Sequence, residues 1–292
     1  MTECSSICVM PEGPEARTVA DKMQGLIGWR LSEYKLMVQP KADNSNEPLI
    51  PGKQSQELKV ANITHVWSYG KKVIITIDSD LHLVFELGMS GRFTYTEESG
   101  TKIVFQLSND QEVKYLCWGY TRPHGAALHI FNSPQLQEWL SQYGPDLLGD
   151  YVRGHPISPE KWRDIWRTKK YQKWNLCKVL HDQHAIAGVG NYLKSEILYY
   201  AGLAPGREVQ SLSDPELERL RRVTLHIMYV SYSYGGYTLE SFISPDGAWG
   251  KYPAAIYGPI NSKVTKDKYG NEIVRTKEFS GQTTSWCPAV QK

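Results

Sequence analysis

The chain has 292 residues, of which 41% are hydrophobic and 22% charged, a length and balance typical of a globular protein with two domains. No run of about 18 apolar residues occurs, so no membrane span is indicated, and the first ten residues lack the basic and apolar stretches of a secretory signal. The net charge of +2 hides an asymmetry: residues 1–150 carry 13 basic and 18 acidic side chains, and residues 151–292 carry 20 and 13. A basic C-terminal half suits a polyanion partner but equally an ordinary solvated surface.

The five cysteines are scattered, odd in number and without a C-x-x-C pair. This pattern predicts an intracellular protein in a reducing compartment, without a disulfide framework. A structural zinc site needs four ligands, and none is expected here. The cysteines are Cys4, Cys8, Cys117, Cys177 and Cys287.

The N-terminal half begins with helical apolar spacing over residues 13–26 and continues with short segments rich in Val, Ile, Phe and Tyr. Gly, Asn, Asp and Ser separate these segments, and residues 39–55 are typical of a surface loop. Such spacing predicts a β-sandwich or a barrel-like domain. The predicted strands cover residues 29–38, 57–68, 72–78, 81–87, 91–96, 102–107 and 112–118.

The C-terminal half has mostly helical patterns. Residues 127–142 indicate a strand and then a helix, and residues 144–156 have the Gly and Pro content of a linker. Two short β-like runs near residues 271–276 and 283–287 predict a terminal hairpin. The predicted helices cover residues 158–168, 174–181, 191–201 and 213–233.

Six motifs in chain order carry a family resemblance. They are Met-Pro-Glu-Gly-Pro-Glu (10–15), Gly-Lys at Lys71, Gly-Met-Ser-Gly (88–91), Asp-Gln-His-Ala-Ile-Ala-Gly-Val-Gly-Asn (182–191), Gly-Gly-Tyr-Thr-Leu (235–239) with Tyr257-Gly258, and the tail 283–292. Together they resemble the formamidopyrimidine-DNA glycosylase and endonuclease VIII family. The Gly of PEGPE favours the endonuclease VIII-like members of this family.

The resemblance implies that Pro11 is a nucleophile and Glu12 a general acid. An α-amino group titrates near pH 8, well below a lysine side chain, so a terminal proline can attack the sugar C1′ and give an iminium directly. Glu12 would open the sugar ring and move protons during strand cleavage. The alternative is that both residues merely begin a helix, where Pro and acidic side chains are common.

Ten residues precede Pro11, and its nitrogen is an amide while they are attached. Either translation begins at Met10, which we expect because the MPEGPE frame is intact, or the extension is real and the enzyme is inactive or processed. In the second case the chain would be a non-catalytic binder of damaged DNA. A third hypothesis is a helix-hairpin DNA-binding protein without lesion recognition.

The resemblance also implies phosphate ligands. Lys71 would contact the phosphate beside the lesion, although it could be an ordinary exposed turn lysine. The segment 182–191 resembles the family's helix–two-turn–helix motif, in which backbone N–H groups at Gly190 and the helix start, with the Asn191 amide, hold a phosphate. The alternative is a glycine-containing helix hairpin without a ligand.

A glycosylase must fill the gap left by the flipped base. The resemblance assigns this to Met89, Arg122 and the third wedge position, where His124 replaces the usual Phe. Arg122 would face the orphaned base with its forked donors. For Met89, packing in the core is the alternative.

The tail departs most from the family pattern, because only Cys287 remains of a four-cysteine zinc finger. The resemblance therefore implies a zincless hairpin without a metal. The finger arginine aligns with Gln282, and Arg275 or Lys277 could serve in its place.

The sequence thus predicts a multidomain α+β protein that needs no cofactor. It would act as a monomer on damaged double-stranded DNA, with single-stranded DNA as an alternative substrate. The DNA would lie between the domains and bend towards the wedge residues. The reaction would remove oxidised bases, with oxidised pyrimidines favoured, and cleave the strand by β- and δ-elimination. The predicted parts are an extension absent from the active protein (1–10), a catalytic helix and β-sandwich domain (11–148), a linker (149–157), a helix–two-turn–helix domain (158–244), and a lesion loop with a zincless finger (245–292).

Overall fold

The computed structural model describes residues 10–37, 60–121, 125–237, 245–248, 250–258 and 262–292. The chain divides into two compact units. The first contains the described residues of Met1–Pro11, Glu15–Ser141 and Thr238–Gly250. The second contains those of Glu12–Pro14, Gln142–Tyr237 and Lys251–Lys292.

Eight antiparallel strands form the core of the first unit, in the order β5-β7-β6-β1-β2-β3-β4-β8. The strands are β1 Arg30–Leu36, β2 Ala61–Tyr69, β3 Lys72–Ile77, β4 Leu81–Leu87, β5 Arg92–Thr94, β6 Thr101–Ser108, β7 Val113–Gly119 and β8 Ala126–Asn132. Strands β6 and β8 alternate between buried and partly exposed positions, as expected for strands that bury one face, whereas β3 and β4 are buried along almost their whole length.

The sheet is divided in the middle, because β1 pairs with β2 only at Arg30 and Leu31. Four strands lie on each side of this short pairing. The Phe85 ring of β4 contacts Phe93 at 4.8 Å and Trp118 at 5.5 Å between ring centroids, so aromatic side chains from the two halves share one core. The predicted β-sandwich is confirmed.

Two helices accompany this sheet. The first, α1, spans Gly13–Lys22 and is followed by one 3₁₀ turn, Gln24–Leu26. The second, α2, spans Ser133–Ser141, and its Leu136 packs against Ile74 and Val84 of the sheet.

Helices and one hairpin form the second unit. Polar side chains begin three of the helices, since Ser158 and Asn175 each accept a backbone N–H and Ser213 starts a capping box. None of the helices in the described part of the chain is long and apolar enough to cross a membrane. The elements are α3 Leu147–Val152, α4 Pro159–Arg167, α5 Leu176–His181, α6 Asn191–Ala201, α7 Asp214–Ser233, β9 Val274–Thr276 and β10 Thr284–Trp286.

The segment 149–157, predicted as a linker, differs in the structure. Helix α3 occupies its first residues. The helix is held by Leu147 and Leu148, which are buried in the core of the second unit. Burial of two adjacent leucines outweighs the Gly and Pro content on which the linker prediction rested.

Candidate functional site

The start of α6 holds a buried carboxylate. Glu12 is 1% exposed, and its carboxylate accepts hydrogen bonds from the backbone N–H groups of Gly190 at 2.6 Å, Tyr192 at 2.8 Å and Leu193 at 3.3 Å. These amides have no partner within the helix, and they carry its positive dipole end. The first turn of α6 therefore holds the Glu12 carboxyl group in a fixed orientation.

This geometry corrects one expectation. The Gly190 N–H was predicted to bind a phosphate, but it donates to Glu12. The sequence pattern could not show this, because the glutamate lies 178 positions away in the chain. The Asn191 side chain is left as the expected phosphate ligand of this turn.

Two glycines bring Glu12 to the helix. The Gly13 N–H donates to the Gly188 carbonyl oxygen at 2.8 Å. Gly188 has a φ of +96°, which favours glycine. The Gly of PEGPE and a Gly of the helix–two-turn–helix motif thus meet directly.

Pro11 is buried and immediately precedes Glu12. In the sequence given, Met10 acylates its nitrogen, and an amide nitrogen is not a nucleophile. Pro11 can therefore act as an amine only where the Met10–Pro11 bond is absent.

Tyrosines surround the other side of the α6 start. Asn191 donates from Nδ2 to the Tyr257 hydroxyl at 3.3 Å, and its buried Oδ1 has no hydrogen-bond partner among the described residues. The ring of Tyr192 stacks on Tyr237 at 5.3 Å. Burial raises the pKa of Tyr257, the Asn191 hydrogen bond partly opposes this and the Glu12 charge adds to it, so the hydroxyl stays protonated.

Sequence reasoning missed one functional position, Glu196. Its fully buried carboxylate accepts the backbone N–H groups of Ala255, Ile256 and Tyr257 and the hydroxyl of Tyr252. Glu196 thereby positions the segment that supplies Tyr257. The available signal was the acidic residue five positions after Asn191 on an otherwise apolar helix.

The two adjacent lysines of the first unit have different environments. Lys72 is buried, 3.7 Å from Glu86 and 5.1 Å from the centre of the Trp139 ring. Burial lowers the pKa of Lys72, and Glu86 partly offsets this. Lys71 is half-buried after Gly70, which has a φ of +54°. The environment of Lys72 is that of a structural residue, which agrees with the choice of Lys71 as the candidate.

Met89 lies half-buried in a tight turn. The Gly91 N–H donates to the Leu87 carbonyl at 2.6 Å, and a Cβ on Gly91 would lie only 2.3 Å from that oxygen. Met89 is not among the fully buried hydrophobic residues of the core. Arg122 and His124 lie outside the described residues.

The terminal hairpin places Arg275 and Gln282 differently. Arg275 on β9 is half-buried, and its guanidinium donates to the Val264 carbonyl at 2.7 Å. Its buried Nε has no hydrogen-bond partner, and no carboxylate pairs with it among the described residues. Burial lowers the pKa of Arg275, with an opposing contribution from Tyr237. Gln282 is exposed in the turn before β10.

The cysteines that the structure describes, Cys117, Cys177 and Cys287, are buried free thiols. In the described part of the chain, no three His, Cys, Asp or Glu side chains lie close enough together to hold a metal ion.

Comparison with known families gives two matches. The N-terminal domain of formamidopyrimidine-DNA glycosylase matches residues 10–117, and the H2TH domain of the same enzyme matches residues 156–242. Formamidopyrimidine-DNA glycosylase of Rickettsia conorii is 30% identical over 291 residues, which cover 97% of this chain and 99% of the relative. The enzyme of Prochlorococcus marinus is 27% identical, with 97% and 100% covered.

Solved structures give the same fold. MutM (Fpg) from Thermus thermophilus superposes with a TM-score of 0.78 at 24% identity, over 96% of this chain and 98% of that one. Lactococcus lactis Fpg in complex with abasic-site DNA has a TM-score of 0.79 at 20% identity, over 96% and 99%.

Proposed function

Since the chain belongs to the formamidopyrimidine-DNA glycosylase family and is a DNA N-glycosylase of base excision repair, we propose that Pro11 is the nucleophile that displaces an oxidised base. The residues that precede Pro11 are absent from the active form. A neutral secondary amine then attacks C1′ of the damaged nucleotide, the glycosidic bond breaks, and the base leaves with its bonding electron pair and a proton. Opening of the sugar ring, in which the C1′–oxygen bond breaks and the ring oxygen takes a proton from Glu12, then converts this N,O-acetal into an iminium between Pro11 and C1′.

Strand cleavage follows from the same intermediate. Loss of a proton from C2′ expels the 3′ phosphate, and a second elimination expels the 5′ phosphate, which leaves a one-nucleotide gap. The enzyme is therefore also an abasic-site lyase. Glu12 protonates the ring oxygen as the sugar opens and later moves protons during elimination.

The position of the Glu12 carboxylate carries this proposal. Three N–H groups fix a buried acid one residue away from Pro11. A purely structural helix start does not require such an acid, because a short polar side chain next to the helix would satisfy the same amides. Preorganised acids of this kind are typical of proton-transfer sites.

Phosphate binding is assigned to three residues. Lys71 lies in a turn and is more exposed than its buried neighbour. Asn191 keeps its amide at the α6 start, and Arg275 has a half-buried cation with an unpartnered Nε. Arg275 therefore replaces the finger arginine, a role for which the exposed, uncharged Gln282 is less suited.

The remaining assignments rest on the family resemblance. Met89, Arg122 and His124 fill the gap left by the flipped base, and the protein acts as a monomer. The preferred lesions are oxidised pyrimidines, with formamidopyrimidines also accepted, in double-stranded DNA. One relative of the same fold, Lactococcus lactis Fpg, has been crystallised with an oxidised pyrimidine in DNA.

Borohydride trapping tests the mechanism. Protein beginning at Pro11 is incubated with a duplex that contains an oxidised pyrimidine, and reduction should yield a covalent protein–DNA adduct. Protein that keeps residues 1–10, verified by intact mass, should bind the duplex and give no adduct. Excision at an equal rate by the extended protein would contradict the role of Pro11, and binding without an adduct in both forms would favour the non-catalytic binder.

A further inference from the structure

A groove along α7 contains none of the residues assigned to catalysis or DNA binding, and it shares only the Tyr252–Pro253 segment with the site described above. The cavity has a volume of about 490 Å³, within the range of ligand pockets. Helix α7 provides most of its wall, and the end of α6 and the Tyr252–Pro253 segment provide the rest. Its lining consists of Tyr200, Arg219, Arg222, Val223, His226, Ile227, Val230, Tyr234, Tyr252 and Pro253.

One end of the groove is basic. Arg219 donates from Nε to the Ala201 carbonyl at 2.8 Å, which fixes its guanidinium near the end of α6. Arg222 has 69% of its side chain exposed, and its ion pair with Glu218 is loose at 3.6 Å. His226 is exposed one turn further on. Among the described residues no carboxylate lines the cavity. Glu218 pairs with Arg221 and Arg222 beside it, and the buried Glu196 accepts the Tyr252 hydroxyl at 3.2 Å behind the wall.

The other end is apolar and aromatic. Val230 and Tyr234 continue the same face of α7, and Tyr252 is held there because its N–H donates to the Gly236 carbonyl at 2.9 Å. The Tyr234 side chain is exposed by 49%, whereas Tyr252 is nearly buried. An apolar side chain placed here would remove the Tyr234 ring from water and pack against the Tyr252 wall.

The dimensions indicate an extended ligand. Fifteen helical steps separate Arg219 from Tyr234, a length of about 22 Å. An extended peptide covers this distance with about seven residues. An aromatic strip for stacked bases would need several open ring faces, whereas here Tyr252 forms a wall and the cations lie together at one end.

We propose that this groove binds a short acidic segment of a partner protein, in which acidic side chains adjoin an apolar or aromatic anchor. The acidic residues lie over Arg219, Arg222 and His226, and the anchor lies between Val230 and Tyr252. Charge complementarity selects the acidic part, and the apolar end supplies affinity. Such a segment would recruit the enzyme without occupying its DNA-binding residues.

Fluorescence anisotropy with the full-length protein tests this. The probes are a labelled heptapeptide, Asp-Glu-Asp-Glu-Leu-Leu-Trp, and the same peptide in reverse order, because the chain direction in the groove is not specified. At least one should bind saturably. Binding should weaken about tenfold in the double variant Arg222→Glu, His226→Glu. The wild-type protein should bind the peptide less tightly at high salt than at low salt. Tyr234→Ala should weaken binding without removing its salt dependence.

The controls separate this site from the glycosylase. Lys161→Glu, a charge reversal of an exposed lysine on α4, should leave peptide affinity unchanged, and all variants should keep abasic-duplex binding and base excision. Binding of neither peptide, or equal binding by the charge-reversed groove, would overturn the proposal. So would displacement of the peptide by oligo-dT with the same dependence on Arg222, since the groove would then be a nucleic-acid site.

Discussion

Gly13 and Gly188 lie in backbone contact: the Gly13 N–H donates to the Gly188 carbonyl oxygen, and a Cβ on Gly13 would lie 3.2 Å from the Gly188 Cα. Because the next residue back is Glu12, this contact sets how far the carboxylate reaches into the α6 start. A side chain at position 13 must push the two segments apart by a few tenths of an ångström.

Gly13→Ala should therefore lower the rate of base excision by about tenfold, because small displacements of a catalytic group are costly. Single-turnover excision from a lesion-containing duplex measures this. Gly25→Ala is the matched control, since a Cβ there meets nothing within 4 Å. Equal rates in both variants would show that the Gly13–Gly188 contact does not position the acid.

Glu12→Gln should separate DNA binding from chemistry. The glutamine keeps one acceptor oxygen, but its NH₂ group faces backbone N–H donors that bind the carboxylate in the wild type. The amide also cannot deliver the proton that the carboxylic acid would. We expect excision to fall by at least ~10²-fold, a typical contribution of a general acid. Abasic-duplex affinity measured in parallel should change little. The exposed Glu33 offers the control Glu33→Gln, which should behave as wild type.

Most elements of this fold can be predicted from local pattern. The strands and the helices α4 to α7 follow from alternating or helical spacing bounded by Gly, Pro and capping residues. Helix α3 could not be predicted, because its stability comes from Leu147 and Leu148 packing into a distant core rather than from its own composition.

The candidate site, too, can be predicted from the sequence only in part. The motifs identify Glu12 and Gly190 separately, but only the folded chain shows that one binds the other. The role of Glu196 is equally non-local, since its partners lie about 60 residues further along the chain. Buried hydrogen bonds between distant segments leave no periodic signal in the sequence.

Lys71 and Lys72 should respond oppositely to truncation. Lys71→Ala should reduce excision by about ten- to a hundredfold through loss of a phosphate contact, with little change in melting temperature. Lys72→Ala should lower the melting temperature, because it leaves Glu86 without its cation and removes the stem packed on Trp139. Calorimetry and single-turnover kinetics on both variants make the comparison. A melting loss confined to Lys71→Ala would reverse the assignment.

Arg275→Ala should weaken binding to an abasic duplex about tenfold and reduce the slope of log affinity against log salt by about 1, as expected for one lost phosphate contact. Gln282→Ala, on the same hairpin, should leave both quantities near wild type because the side chain is uncharged and exposed. The affinity of each variant for the duplex, measured at several salt concentrations, gives the two slopes to be compared. An unchanged slope in Arg275→Ala would indicate a structural arginine.

Asp267 should make the hairpin sensitive to acid. Its carboxylate accepts the N–H groups of Tyr269 and Asn271, the Asn271 amide and the Tyr199 hydroxyl. Burial alone would raise the pKa of Asp267, but these hydrogen bonds outweigh it and lower the pKa to about 2, from 3.8. A depressed folded-state pKa stabilises the folded form above the unfolded-state pKa, and this contribution is lost as the pH falls from about 4 to about 2.

Asp267→Asn should therefore melt at a lower temperature than wild type above pH ~4, and the gap should narrow towards pH ~2 as the wild-type carboxylate becomes protonated. Thermal melts across this range, followed by circular dichroism, measure the gap. Asp110→Asn, at an exposed position, is the control, and its melting temperature should equal that of the wild type at every pH. A gap for Asp267→Asn that stays the same at every pH would mean that the lost contacts are steric rather than ionic.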